Sequence, residues 1–316
     1  MSEFRTIIDV PKSKFELSYH TKSMFIGSCF TESIGEKLEE LKFPIDINPF
    51  GIVYNPTSIK NCLEILIDKS IFKKENLQSY NEQWFSFFHH GRFSNSNIDE
   101  CLNNINERIE YSSEFLKSSE FLFITFGTAW IYKLRTTGKT VANCHKLPEN
   151  NFDKKILSVE EIVGEYKILI TSLLKFNPKL KIIFTISPVR HWKDGAFGNQ
   201  VSKATLILAI NKLLDLFKNT KYFPSYEILM DDLRDYRFYA DDMLHPNNTA
   251  VNYVFEKFSQ MYFDEETIKI ISEIEKINKD LKHKPFNNNT KSYQNFIEKI
   301  KIQKEKLISK HPFIKF

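Results

Sequence analysis

Three short apolar runs each stop at a turn of small residues, and this punctuation constrains the fold more than any other feature of the chain. Met24-Phe25-Ile26 ends at Gly27-Ser28, Phe121 to Phe126 ends at Gly127, and Lys181 to Ile186 ends at Ser187-Pro188. Apolar runs of this length, without polar alternation, suit strands buried on both faces of a sheet. The segments between them have helical spacing. Ile34, Leu38 and Leu41 recur on one face of residues 32–41. Residues 57–69, 98–117, 159–174, 202–217 and 248–263 also read as helices. Residues 43–47 read as a further strand, 222–230 as partly extended, and 130–135 with 140–142 as a hairpin around Thr137-Gly138. Strand and helix in alternation predict an α/β fold, a doubly wound three-layer sandwich around a central, mostly parallel sheet. Ligands in such sheets bind beyond the carboxyl ends of the strands, which is where the three turns lie.

The 316 residues divide into a domain over 1–263 and a Lys/Glu-rich helical extension over 264–316. In the extension, Ile268, Ile271, Ile274 and Leu281, then Phe296, Ile300 and Leu307, mark two amphipathic helices around the polar Asn287-Asn288-Asn289-Thr290. Their apolar faces are expected to pack on the domain or on a second copy of the chain. A net charge of +4, with acidic residues interleaved among the lysines, gives no nucleic-acid signature. No apolar run is long enough to span a membrane, which takes roughly 18–20 residues. The N-terminus lacks a signal-peptide pattern, and Cys29, Cys62, Cys101 and Cys144 form no CxxC pair. These features predict a cytoplasmic protein with reduced thiols and no metal or cofactor.

Candidate chemistry lies at opposite ends of the chain. Ser28 sits where the first strand turns into a helix, a position that suits either a nucleophile or a plain helix N-cap. Cys29 beside it is a rival nucleophile. Asp242 and His245 are three residues apart, a spacing at which a carboxylate can orient an imidazole. His90 and His145 are candidates to line a pocket. Arg190 and His191 follow a strand end, where a guanidinium could hold an anionic or sugar-like group or form a surface ion pair. Asp231, Asp232, Asp235 and Asp241 lie among Arg234 and Arg237 and read as an ion-paired loop.

The order Ser, Asp, His along an alternating chain resembles the SGNH (GDSL-like) hydrolase superfamily. Gly27-Ser28-Cys29-Phe30-Thr31 is similar to the signature of the GSCFA family grouped with it, as are Asn48-Pro49-Phe50-Gly51, Phe126-Gly127-Thr128-Ala129-Trp130, Asn143-Cys144-His145-Lys146, Ser187-Pro188-Val189-Arg190 and Asp242-Met243-Leu244-His245-Pro246. The resemblance implies an acyl-ester hydrolase or acyltransferase acting on a small-molecule or glycan ester. Ser28 would be the nucleophile, His245 the base and Asp242 its orienter. The N–H groups of Ser28 and Gly51 would form the oxyanion hole. The superfamily's further oxyanion Asn is missing after Gly127, and Thr128 or Asn143 is expected to replace it. That missing donor also leaves open a binding protein that has kept the fold without the activity.

Overall fold

The computed structural model describes residues 5–282 and 290–316. Five parallel strands form the central sheet: β1 (Ser23–Gly27), β2 (Ile45–Ile47), β3 (Phe121–Phe126), β4 (Lys181–Ile186) and β5 (Thr220–Phe223). Their spatial order is β5-β4-β3-β1-β2. The chain therefore reverses its direction of travel between β1 and β3, and the crevice above that switch point is the ligand position of such sheets.

The unbroken apolar runs follow from burial on both sides. Met24, Ile26, Leu122, Ile124, Phe126, Ile182 and Phe184 share a cluster with residues of α2 (Pro56–Asp68), α3 (Ile98–Ser118), α4 (Val159–Phe176) and α5 (Gly195–Leu216). The alternate residues Phe25, Phe121, Phe123, Ile183 and Phe223 pack on the other face. There they meet α1 (Cys29–Glu40), α6 (Asn248–Tyr262), α7 (Glu265–Leu281) and α8 (Lys291–Lys310). Phe25 and Phe123 stack at 4.4 Å across the β1–β3 pair. Burying one such side chain contributes roughly 1.5–3 kcal/mol.

The two C-terminal helices complete a layer of the sandwich. Ile270, Ile274, Ile277, Ile300 and Leu307 belong to the same cluster as Phe25 and Phe121. Asn278 donates to the Glu40 carbonyl at the end of α1, at 2.8 Å. The polar residues 287–289 lie outside the described residues.

Two local expectations are refined. The partly extended segment 222–230 is strand only as far as Phe223, and helical turns follow over Ser225–Glu227 and Ile228–Asp232. The hairpin of Trp130–Leu134 with Thr140–Val141 gains a third strand, Phe152–Ile156. Its residues Asp153, Lys154 and Lys155 are exposed, so it shows no apolar run. No described helix is long and apolar enough to cross a membrane, and all four cysteines are free.

Candidate active site

At the β1–β3 switch point lies a cavity of 270 Å³, bordered by Ser28, Gly127, Ser187, Arg190, His191 and His245 among others. Three strand ends and the loop before α6 thus converge there.

The turn that presents Ser28 is fixed from several sides. Gly27 has φ +147°, and a Cβ on it would lie 2.3 Å from the Thr125 carbonyl oxygen of β3, so the close approach of the two strands requires glycine. The Gly27 N–H donates to Asn48 Oδ1 at 2.8 Å, and its carbonyl accepts the Val53 N–H at 2.9 Å. The Arg92 guanidinium spans the Asn48 carbonyl and the Glu32 carboxylate of α1, tying β2 to the helix.

Ser28 occupies the N-cap position of α1, but its side chain makes no capping bond. Its Oγ is buried and has no hydrogen-bond partner. The plain N-cap reading of this serine therefore fails. A buried hydroxyl without a partner is destabilising, and such groups concentrate where function requires them.

The other half of the site is a tight loop. Asp242 Oδ1 accepts the N–H groups of Leu244 and His245, each at 2.9 Å, and Oδ2 meets His245 Nδ1 at 2.6 Å. The His245 and Leu244 N–H bonds, then the imidazole, hold the Asp242 carboxyl down at about 2. Ala240 N–H donates to the His245 carbonyl, and Asn247 caps α6 just beyond. A carboxylate on Nδ1 assigns the proton to that nitrogen and leaves Nε2 as the acceptor. Ser28 and His245 border the same cavity, but no hydrogen bond joins them in this conformation.

Cys29 also borders the cavity. Burial pushes its thiol up, and the N–H groups of Phe30 and of Cys29 itself only partly oppose that. The balance favours thiol over thiolate and weakens the rival nucleophile.

Several expected site residues are placed elsewhere. The Gly51 N–H donates to the Asn48 carbonyl at 2.7 Å, so it is not free for an oxyanion. Gly51 is required for packing instead, because a Cβ there would fall 2.2 Å from His90 Cβ. Thr128 Oγ1 lies 3.0 Å from Ser202 Oγ and accepts the Trp130 N–H, and its own N–H bonds the Tyr54 carbonyl. Asn143 Oδ1 closes a local turn by accepting the His145 N–H at 2.8 Å. His145 stacks on Phe85 at 4.0 Å and bonds the Ser86 carbonyl, and burial lowers it to about 4. His90 Nδ1 accepts the Arg92 N–H. None of these five residues borders the 270 Å³ cavity.

Arg190 and His191 do border it. His191 packs edge-on to Tyr54 at 5.8 Å and lies 3.5 Å from Asp194. Burial lowers its pKa, partly opposed by that carboxylate. In the acidic loop Arg234 pairs with Asp231 and Arg237 with Asp235 as expected, whereas Asp232 is buried and pairs with Arg5 from outside the loop. The described residues include no cluster of His, Cys, Asp or Glu able to hold a metal ion.

Two residues carry more than the sequence reading gave them. Asn48 Nδ2 is a buried donor with no acceptor, on the side chain that holds Gly27. Lys203 on α5 is fully buried, and its ammonium donates to the carbonyls of Gly127 and Ser187, both at 2.7 Å. It thereby ties together the ends of β3 and β4 at the edge of the cavity. Helical spacing alone shows a lysine at position 203, not the two strand ends it reaches.

Among solved structures, the fold is similar to a carbohydrate esterase family 3 protein from Talaromyces cellulolyticus, with a TM-score of 0.36 and 9% identity over 80% of this chain and 98% of that one. It is also similar to a family 3 carbohydrate esterase from Clostridium thermocellum, with a TM-score of 0.33 and 12% identity over 80% and 97% of the two chains. An acetyl xylan esterase from the rumen bacterium Butyrivibrio proteoclasticus matches with a TM-score of 0.37 and 11% identity over 79% and 64%. Likenesses this remote carry no argument about chemistry. No curated protein matches the sequence. The family comparison is decisive: residues 22–258 match the GSCFA family and residues 274–316 match the GSCFA domain protein C-terminal domain, so the chain belongs to the GSCFA family.

Proposed function

We propose that this protein is a serine hydrolase that cleaves an ester or related acyl bond through an acyl-enzyme. The observation that carries the reading is the state of Ser28: a buried hydroxyl at a helix N-terminus that caps nothing, in the same cavity as an imidazole already oriented by a carboxylate. As Ser28 Oγ bonds the acyl carbon, its proton passes to His245 Nε2 and the carbonyl π pair moves onto oxygen. Asp242 steadies the imidazolium. Collapse of the tetrahedral adduct expels the alcohol oxygen, which takes the proton from Nε2. Water then repeats the sequence and releases the acid and Ser28.

The Ser28–His245 contact must first close, since such bonds are often loose without ligand. The oxyanion would be held by the N–H groups at the start of α1; Asn48, which like Thr128 and Asn143 does not border the cavity, holds the Gly27 turn behind it. If an alcohol replaces water in the second step, the same residues perform acyl transfer. A glycan-linked ester suits the aromatic border of the cavity, which includes Tyr54 and Trp192.

A fluorophosphonate probe and p-nitrophenyl acetate turnover test the reading together. Labelling at Ser28 with ester turnover, both lost in Ser28→Ala, is the expected result. Folded protein that neither labels nor turns over ester would instead be a binding protein on this fold.

A further inference from the structure

A second cavity, of 520 Å³, adjoins the first and shares Arg190, Trp192 and Leu244 with it. It also borders Asp242, on the His245 side of the site. In the proposed reaction the imidazole returns its proton to the leaving alcohol, and this larger space adjoins the cavity that His245 borders.

Arg190 stands at the junction of the two cavities and forms no ion pair among the described residues. Arg5, Arg92, Arg108, Arg135, Arg234 and Arg237 each form an ion pair with a carboxylate. Among the described residues the hydrogen-bond contact of Arg190 is with the Met230 sulfur, at 3.8 Å, and its Nε is buried without a hydrogen-bond partner. The carboxylates around the larger cavity are already engaged, Asp235 by Arg237 and Asp242 by His245. A guanidinium with a buried, unpartnered N–H is stabilised by a ligand anion, and its fork suits the geometry of carboxylate and phosphate oxygens. Trp192 and Tyr236 are exposed at the rim, as flat faces for a ring.

We propose that the alcohol portion of the substrate carries an anionic group, a carboxylate or a phosphate on a sugar-sized ring, and that Arg190 binds it. The assignment to the alcohol side rests on the hydrolase reading; the anion site itself does not.

The test is binding to the Ser28→Ala protein of three probes: methyl glucuronide, glucose 6-phosphate and methyl glucoside. At low salt at least one anionic probe is expected to bind tenfold or more tighter than methyl glucoside, and which one distinguishes carboxylate from phosphate. Arg190→Gln in that background should erase the preference, and Arg190→Lys should retain part of it, with thermal midpoints confirming that each variant folds. Equal binding of charged and neutral probes, or an anion preference unchanged by Arg190→Gln, overturns the proposal. Turnover of p-nitrophenyl acetate by the unmodified protein is read separately. Anion preference without turnover sinks the hydrolase reading and keeps the anion site, whereas turnover without preference does the reverse.

Discussion

Two serines open helices in this protein and use their hydroxyls in opposite ways. Ser158 starts α4 with a full capping box: its Oγ accepts the Glu161 N–H at 3.1 Å, and the Glu161 carboxylate accepts the Ser158 N–H at 2.9 Å. Ser28 starts α1 with the same extended backbone and makes no capping bond. Asn55, Asn97, Asn247, Asp264 and Thr290 behave like Ser158. The difference is not one of residue type. Ser28 follows a strand end pinned by Gly27 and Asn48 and faces a cavity, whereas Ser158 is exposed. One hydroxyl serves the helix, and the other is kept apart from it.

The largest expected effect tests that contrast directly. Ser28→Ala should lower kcat/KM for an ester by ~10⁴-fold or more while changing stability by less than about 1 kcal/mol, because no capping bond is lost. Comparable turnover in the variant would remove Ser28 from the mechanism. Asp242→Asn comes next. It should lower kcat by ~10³–10⁴-fold by disturbing the imidazole tautomer, read in the same ester assay. Asn48→Ala should lower kcat by ~10²-fold by loosening the Gly27 turn that presents Ser28. Unchanged kcat alongside a lower thermal midpoint would limit Asn48 to a role in stability.

Lys203 sharpens the comparison through pH. Burial pushes its ammonium down to about 7, against 10.5 for the unfolded chain. Between those values the unfolded state binds more protons, so stability rises as pH climbs from about 7 and is lowest below it. The slope approaches about 1.4 kcal/mol per pH unit. Denaturant melts from pH 6 to 9 should show this slope in the natural protein and lose it in Lys203→Met. The smallest effect belongs to Ser158→Ala, which should destabilise by about 1 kcal/mol in the same melts and leave ester turnover unchanged.

Residue types and their order predict the sheet, the helices and the Ser-Asp-His set. Phe121 to Phe126 could only be a doubly buried strand, and Ser28 and His245 fall at the switch point that strand order creates. The oxyanion donors were not legible in the same way. Whether the Gly51 N–H is free depends on the Asn48 carbonyl that reaches it, and Thr128 is engaged by a serine on α5. Backbone hydrogen bonding and contacts between distant segments decide such questions, and neither leaves a periodic trace. The strand Phe152–Ile156 was hidden for a related reason: its exposed lysines are placed by backbone pairing with Trp130–Leu134, which leaves no apolar run.

The switch-point geometry has a consequence for assembly. Ser28 belongs to the first strand-to-helix turn, while His245 and Asp242 lie just before α6. If Ser28 and His245 act together as proposed, β1, β3 and most of one helical layer can emerge during synthesis while the serine still has no base. A fragment that stops before Asp242 would then carry Ser28 in an inert form. Joining ends so far apart along the chain is also slow relative to local folding. Reactivity toward a serine-directed probe would thus report the last contacts to form, and would lag behind helical content during refolding.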